Sequence, residues 1–396
     1  MLKFGKPYIE SSQDYAILKN EVEIDGLKQT LWFKVDKKYE QFLCYERGDA
    51  YLIASLNYAM INHHDIEIDV PVTSQLLFNI QNYLIPALIE NNPQFHAPKI
   101  KAPIDASTLP NFGAVGTGIS CGVDSLHVLA TKTNTIFKDL NVTHLTFNNV
   151  GSHGEGQHAR ELFKKRSVRP AKFAEEYNYE FVHSDSNLMD VLKQNHFKTH
   201  TYSSMFPIFC LQKLYSVFFY ASSGYKFSEF QLIDAPVRSC GAYDLLSLDV
   251  FSTSSLRIYS EGMGKSRLAK LREVVKYSPS YKYLNVCLSD GDNCGVCEKC
   301  VRTLLGLDAL GVVEKYSEVF DVDYFKKHKK WYLQQMLYRM ADGKHDYFEM
   351  YPYFKKEITF DMRVKKVGYI CTNKIANVLR KYPRFFSAVK KLVKAH

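Results

Sequence analysis

Nine cysteines are spread over 396 residues, and four of them, Cys287, Cys294, Cys297 and Cys300, fall in the run VCLSDGDNCGVCEKCVRT. Two overlapping C-x-x-C steps place three sulfurs on one tight turn, and Cys287 reaches a fourth corner across the loop SDGDN. Thiolates at this spacing suit the closed tetrahedral shell of structural zinc. Two disulfides are the alternative, and they need an oxidising compartment of which the sequence gives no sign. Zinc with four thiolates carries two negative charges, and Lys299 and Arg302 stand close by in sequence to offset them.

A second chemical run, GAVGTGISCGVDSLHVLAT, reads as strand, tight turn and helix start. As a dinucleotide fingerprint it fails, because Cys121 occupies the third glycine position after Gly116 and Gly118. As a nucleophile elbow it fits G-x-S-x-G over Gly118 to Gly122, which would make Ser120 the nucleophile of a serine hydrolase. As an anion cradle, Ser120, Cys121, Gly122, Val123, Asp124 and Ser125 aim successive N–H groups and two hydroxyls at a phosphate, with Asp124 holding the loop or a magnesium ion. A helix N-cap alone is the plainest reading. Gly264-Lys265-Ser266 is no Walker A loop, since Tyr259 stands where its first glycine belongs.

The elements around these runs predict an α/β fold. Short apolar runs at 113–119, 144–148, 179–183 and 230–233 alternate with helix-length segments, the pattern of a parallel sheet with crossover helices on its faces. Ligands of such sheets sit at the carboxyl ends of the strands. This places the loop after the first strand, Asn148, Asn149 and Gly151 after the second, and Asp185 after the third at one edge. His127 follows the loop as a core or supporting group, and His153, Glu155 and His158 lie among glycines that favour a mobile loop over a second metal site. Residues 1–110 read as an α+β module of their own, with a hairpin across Asp25-Gly26 and a helix near Ser74 to Glu90. Residues 111–312 form the central domain, and 313–396 a helical, basic region.

The run S-C-G-V-D-S resembles the S-G-G-x-D-S loop of the N-type ATP pyrophosphatases, the PP-loop or adenine nucleotide alpha hydrolase superfamily. With a late quartet C-x6-C-x2-C-x2-C followed by an arginine and a short helix, the chain looks like the cyano-deazaguanine synthases over roughly 112–311. The resemblance implies ATP and Mg2+ as cofactors beside Zn2+. It implies an adenine pocket near Asn148, a phosphate-neutralising role for Lys265 and Arg267, and catalytic work for Asp124 and Ser125. It also implies a zinc knuckle on the substrate side, and Gly241-Ala242-Tyr243-Asp244 echoes a Tyr- and Asp-bearing substrate loop. Cys121 departs from the loop's usual glycine, and the arginine and asparagine expected before the long helix are not found in His200-Thr201-Tyr202-Ser203. The first 110 and last 80 or so residues have no counterpart in the short synthases.

The implied activity is that of an AMP-forming ligase acting on a small carboxylate or amide; the rivals are the hydrolase and a catalytically silent nucleotide-binding scaffold. Without a glutaminase-like region, ammonia would come free or from a partner protein, and a second copy of the chain is a further candidate partner. The formal charge of +9 belongs to the tail, because residues 361–396 hold ten Lys or Arg against one acid and the first 360 residues sum to zero. That distribution disfavours nucleic acid. No apolar stretch of signal-peptide or membrane-span length stands out, so the expected location is the cytoplasm. Val378, Tyr382, Phe385, Val389 and Leu392, with lysines and arginines between them, could lie on an anionic membrane or pack on the chain's own helices.

Overall fold

The computed structural model describes residues 1–222, 226–287 and 291–381, with backbone alone for 373–381. It is a mixed α/β structure that divides into two compact units, Met1–Asn285 and Val286–His396. In chain order the strands are β1 (Leu2–Phe4), β2 (Tyr8–Ser11), β3 (Tyr15–Ile24), β4 (Leu27–Asp36), β5 (Ile66–Ile68), β6 (Val72–Thr73), β7 (Ile100–Lys101), β8 (Ile104–Asp105), β9 (Ala114–Gly118), β10 (His144–Asn149), β11 (Glu180–Ser186), β12 (Tyr215–Ala221) and β13 (Arg257–Glu261).

All but β6 and β8 join one mostly parallel sheet, in the order β13, β12, β9, β10, β11, β4, β3, β1, β5, β7, with β2 paired to β3. The strands from β13 to β11 are mutually parallel. Antiparallel pairing of β11 with β4, Ser184 facing Val35 and Ser186 facing Phe33, carries the sheet on into the N-terminal residues. Residues 1–110, read as a separate module, are therefore the second half of the first unit's sheet. Packing follows the same join: Phe206, in the helix His196–Cys210, meets Phe33 edge-on and also contacts Tyr51 of the helix Asp49–Asn62.

The hairpin β3 to β4 forms as its pattern predicts. Asp25 and Gly26 both take positive φ, 51° and 83°, the geometry of a two-residue turn matched to strand twist, and Ala16, Leu18, Val22 and Ile24 alternate inward. The strand expected at 230–233 does not form. Phe230 and Ile233 stay exposed, and β12 is supplied instead by the end of the apolar run at 205–221, whose first part is helical. Periodicity cannot distinguish a short buried strand from a buried helical segment.

The second unit is helical: Glu298–Ala309, Val322–Lys327, Lys329–Ala341, His345–Phe354 and Phe360–Lys381. Leu304, Tyr316, Phe325, Tyr332, Met336 and Tyr347 fill its interior. The unit begins at Val286, so the cysteine quartet belongs to it and not to the unit that carries the sheet. No helix among the described residues is long and apolar enough to cross a membrane. The proposed tail stripe from Tyr382 to Leu392 lies outside the described residues.

Candidate functional site

Chain order reverses at β9: β10 and β11 run outward on one side, and β12 returns on the other. In open parallel sheets ligands bind at the carboxyl ends of the strands at such a reversal, and the loop of Ser120 to Ser125 leaves β9 there. The Ile119 N–H still donates to the Thr146 carbonyl at 2.9 Å, as a sheet residue would. Cys121 then turns the chain with a φ of 58°, fully buried, and its carbonyl accepts from the Asn285 N–H at 2.8 Å. Gly122 starts the helix Val123–Lys132; a Cβ there would stand 3.3 Å from Ser120 Oγ and crowd it.

The two serines close the loop. Ser125 Oγ donates to the Gly122 carbonyl at 3.1 Å and accepts from the Ser120 N–H at 3.3 Å, while Ser120 Oγ accepts from the Gly122 N–H at 3.4 Å. The amides of Val123, Asp124 and Ser125 are first-turn donors, which helix geometry leaves without intrahelical acceptors. Such donors and the helix dipole favour negative charge in general. Among the described residues, none of the hydrogen bonds of Ser120 reaches a histidine or carboxylate.

Asp124 is gripped by two cations. Arg267 Nη1 donates to Oδ2 at 2.5 Å, and Lys270 Nζ donates to Oδ1 at 2.9 Å and to Ser222 Oγ at 2.9 Å. Burial works against its ionised form, but Arg267 and Lys270 outweigh it and hold the carboxyl below the ordinary aspartate range. Both cations stand on the helix Arg267–Val274, capped by Ser266, whose Oγ accepts from the Ala269 N–H. Three residues apart, they share one helical face. Lys265 precedes the cap and lies 3.8 Å from Glu273, so the lysine at the loop is Lys270, which is 1% exposed. The signal for it was present in the spacing of GKSRLAK. Gly262, at φ +93°, leaves room for that side chain: a Cβ would come within 2.8 Å of Lys270 Cε.

His127 is fully buried with neither ring nitrogen hydrogen-bonded, and burial, aided by the charges of Lys265 and Lys270, pushes its pKa down to about 4. At the end of β10, Asn148 spends its amide inside the sheet, accepting from Ser184 Oγ and donating to Thr146 Oγ1. Its neighbour Asn149 bonds Asp185 and lines a small recess with Gly151, Gly156, Arg160 and Asp190. Successive strand residues face opposite sides of a sheet, so of the two asparagines at the end of β10 it is Asn149 that borders this recess. His153 packs against Phe147 and Phe163; among the described residues, only the cysteine quartet groups as a metal site.

Within the second unit, the sulfurs of Cys287, Cys294, Cys297 and Cys300 all lie within 4.8 Å of one another, and Cys287 and Cys297 are 4.0 Å apart. A tetrahedron with Zn–S bonds of about 2.3 Å has S···S edges of about 3.8 Å. The quartet can hold a metal ion such as zinc, and all four cysteines are free of disulfides. The Cys294 N–H donates to Cys287 Sγ at 3.4 Å and the Cys297 N–H to Cys294 Sγ at 3.3 Å, which disperses thiolate charge. Asn293 pins the turn by accepting from the Val286 N–H and donating to the Val319 carbonyl, and Tyr332 holds the Gly295 carbonyl at 3.0 Å. Arg302, read as a charge partner of the cluster, instead pairs with Asp346.

No family model, characterised protein or solved structure matches the chain.

Proposed function

We propose that the chain is an ATP-dependent ligase of the PP-loop kind, with an adenine nucleotide alpha hydrolase-like sheet. It transfers AMP from ATP to an oxygen of a small carboxylate or amide, releases pyrophosphate, and lets a nitrogen or sulfur nucleophile displace AMP. One observation carries this reading: a serine-lined helix start at the chain reversal of a parallel sheet, with Arg267 and Lys270 converging on its aspartate. Backbone amides and the Ser120 and Ser125 hydroxyls would cradle the leaving pyrophosphate, and the paired cations would offset its charge. Such chemistry asks mainly for positioning and fixed donors.

Asp124 holds the two cations with both oxygens, so it acts as the loop's anchor. Magnesium, which keeps waters and phosphate oxygens as ligands, would arrive with the nucleotide. The cysteine quartet is proposed to hold structural zinc.

A screen for pyrophosphate release from ATP against small carboxylic acids, nucleotide sugars and tRNA tests the reading. At least one class should support release, and Ser125→Ala should lower it about 100-fold, the cost of losing one oriented donor. ATP binding without release across every class would favour the silent scaffold.

A further inference from the structure

One side of the helix Phe360–Lys381 packs within the second unit. Met362 is buried and its carbonyl accepts from Gln334 Nε2 at 3.3 Å, while Tyr369 stacks on Tyr338 and donates to Asp342 at 3.1 Å. At about 100° per residue, Phe360, Val364, Val367 and Cys371 fall on the opposite side. They recur at steps of four, three and four, and they face water: Phe360 is 82% exposed, Val364 51% and Val367 59%, with Cys371 exposed as well. By the same spacing Val378 prolongs the line. The free side of a surface helix ordinarily carries polar residues, and here it carries a second apolar line in the most basic segment of the chain.

We propose that this face rests on an anionic lipid surface, with the helix lying in the headgroup plane. Charge chooses the occupant. Residues 361–396 hold ten Lys or Arg against Asp361 alone, and Asp361 is paired with Lys365. A second copy docking through this side would bring two such segments together. Residues 382–396 carry Arg384, Lys390, Lys391 and Lys394 and no acid, so they too would meet like charge on the helix. A nucleic acid would match the charge and leave the apolar line in water. A lipid surface takes both: its acyl boundary receives Phe360, Val364 and Val367, and its phosphates meet cations such as Arg363, Lys374 and Lys381, which recur beside the line at steps of eleven and seven. The inference stands on the second unit and needs nothing from the ligase reading.

The test is flotation of the full-length protein, as purified, with vesicles of phosphatidylglycerol and, in parallel, of phosphatidylcholine. The wild type should float with phosphatidylglycerol, much less with phosphatidylcholine, and less with either as salt rises. Val364→Gln/Val367→Gln should bind phosphatidylglycerol about tenfold more weakly or worse, because two valines no longer leave water. Glutamine forms helix more readily than valine, so circular dichroism should show the helix content retained. Equal binding by wild type and the double variant would overturn the proposal and assign the contact to residues 382–396. Absence of wild-type binding to phosphatidylglycerol, or equal binding to the two lipids, would also overturn it. A concentration-dependent dimer of the wild type that the double variant abolishes, with no vesicle binding, would assign the face to a second copy instead.

Discussion

At the scale of single residues, Asp124 matters as much to stability as to chemistry. Removing it leaves Lys270 buried and Arg267 nearly so without their anion, a change that costs about 3 to 5 kcal/mol when a buried pair is broken from one side. Asp124→Ala is therefore expected to lower the urea midpoint sharply, and Lys270→Met, which removes a buried charge with its cost of burial, less so; equal midpoints for wild type and Asp124→Ala would show the clamp to be weak. The loop's chemistry is better read from Ser125→Ala. Cys121 stands at the left-handed turn, and burial pushes its thiol up to about 12. A thiol held in that form is a poor nucleophile. Iodoacetamide at neutral pH should spare Cys121 in the folded protein while labelling exposed Cys371; rapid labelling at Cys121 would contradict its burial.

Among elements, the turn that bears the quartet depends on the metal it can hold. Its backbone makes N–H···S bonds and hangs on Asn293, Tyr332 and the Tyr347 hydroxyl, which donates to the Glu298 carbonyl. Four thiolates without an ion would repel, whereas zinc binding at such sites contributes on the order of 10 kcal/mol to folding. Purified protein should hold one zinc per chain, and Cys297→Ser should lose it and loosen the second unit, detectable as early proteolysis after Val286. Full helicity and protease resistance in the metal-free protein would remove the structural role. The helix Arg267–Val274 illustrates another element-scale effect: Ser266 caps it, and the three-residue spacing of Arg267 and Lys270 brings both onto Asp124.

For the whole molecule, pH should act through histidines buried in neutral form. Burial pushes His127, His153 and His200 down to about 4. As pH falls below their ordinary value of about 6.5, the unfolded chain takes up protons that the fold refuses, so the stability they contribute is lost between about 6.5 and 4. Asp244, pushed up to about 7, works in the opposite sense over the same range, because there the fold holds a proton that the unfolded chain releases. Burial also lowers His144, His183 and His196 and raises Asp36 and Asp49, so six histidines stand against three aspartates and a net loss on acidification is expected, each proton being worth about 1.4 kcal/mol per pH unit where the two states differ fully. Urea unfolding at pH 7 and pH 5 measures it, and His127→Gln should flatten part of the slope. Equal stability at the two pH values would show that these rings are not held neutral.

The sequence alone determined the features that local spacing controls. The cysteine quartet, the loop of Ser120 to Ser125, the Asp25-Gly26 hairpin and the strands β9, β10 and β11 were each legible, because a turn, a strand period or a ligand spacing is written within about ten residues. Long-range pairing was not. Nothing near Phe33 or Ser184 announces that β4 joins β11, since both strands alternate in ways that many partners would satisfy. β12 hid in an apolar run without a period. Lys270 was visible as a spacing, but its burial against Asp124, Ser222 and Gly262 arises only when β9, β12 and the helix Arg267–Val274 converge. Charges brought together from 124, 267 and 270 meet in a low-dielectric interior only through tertiary packing.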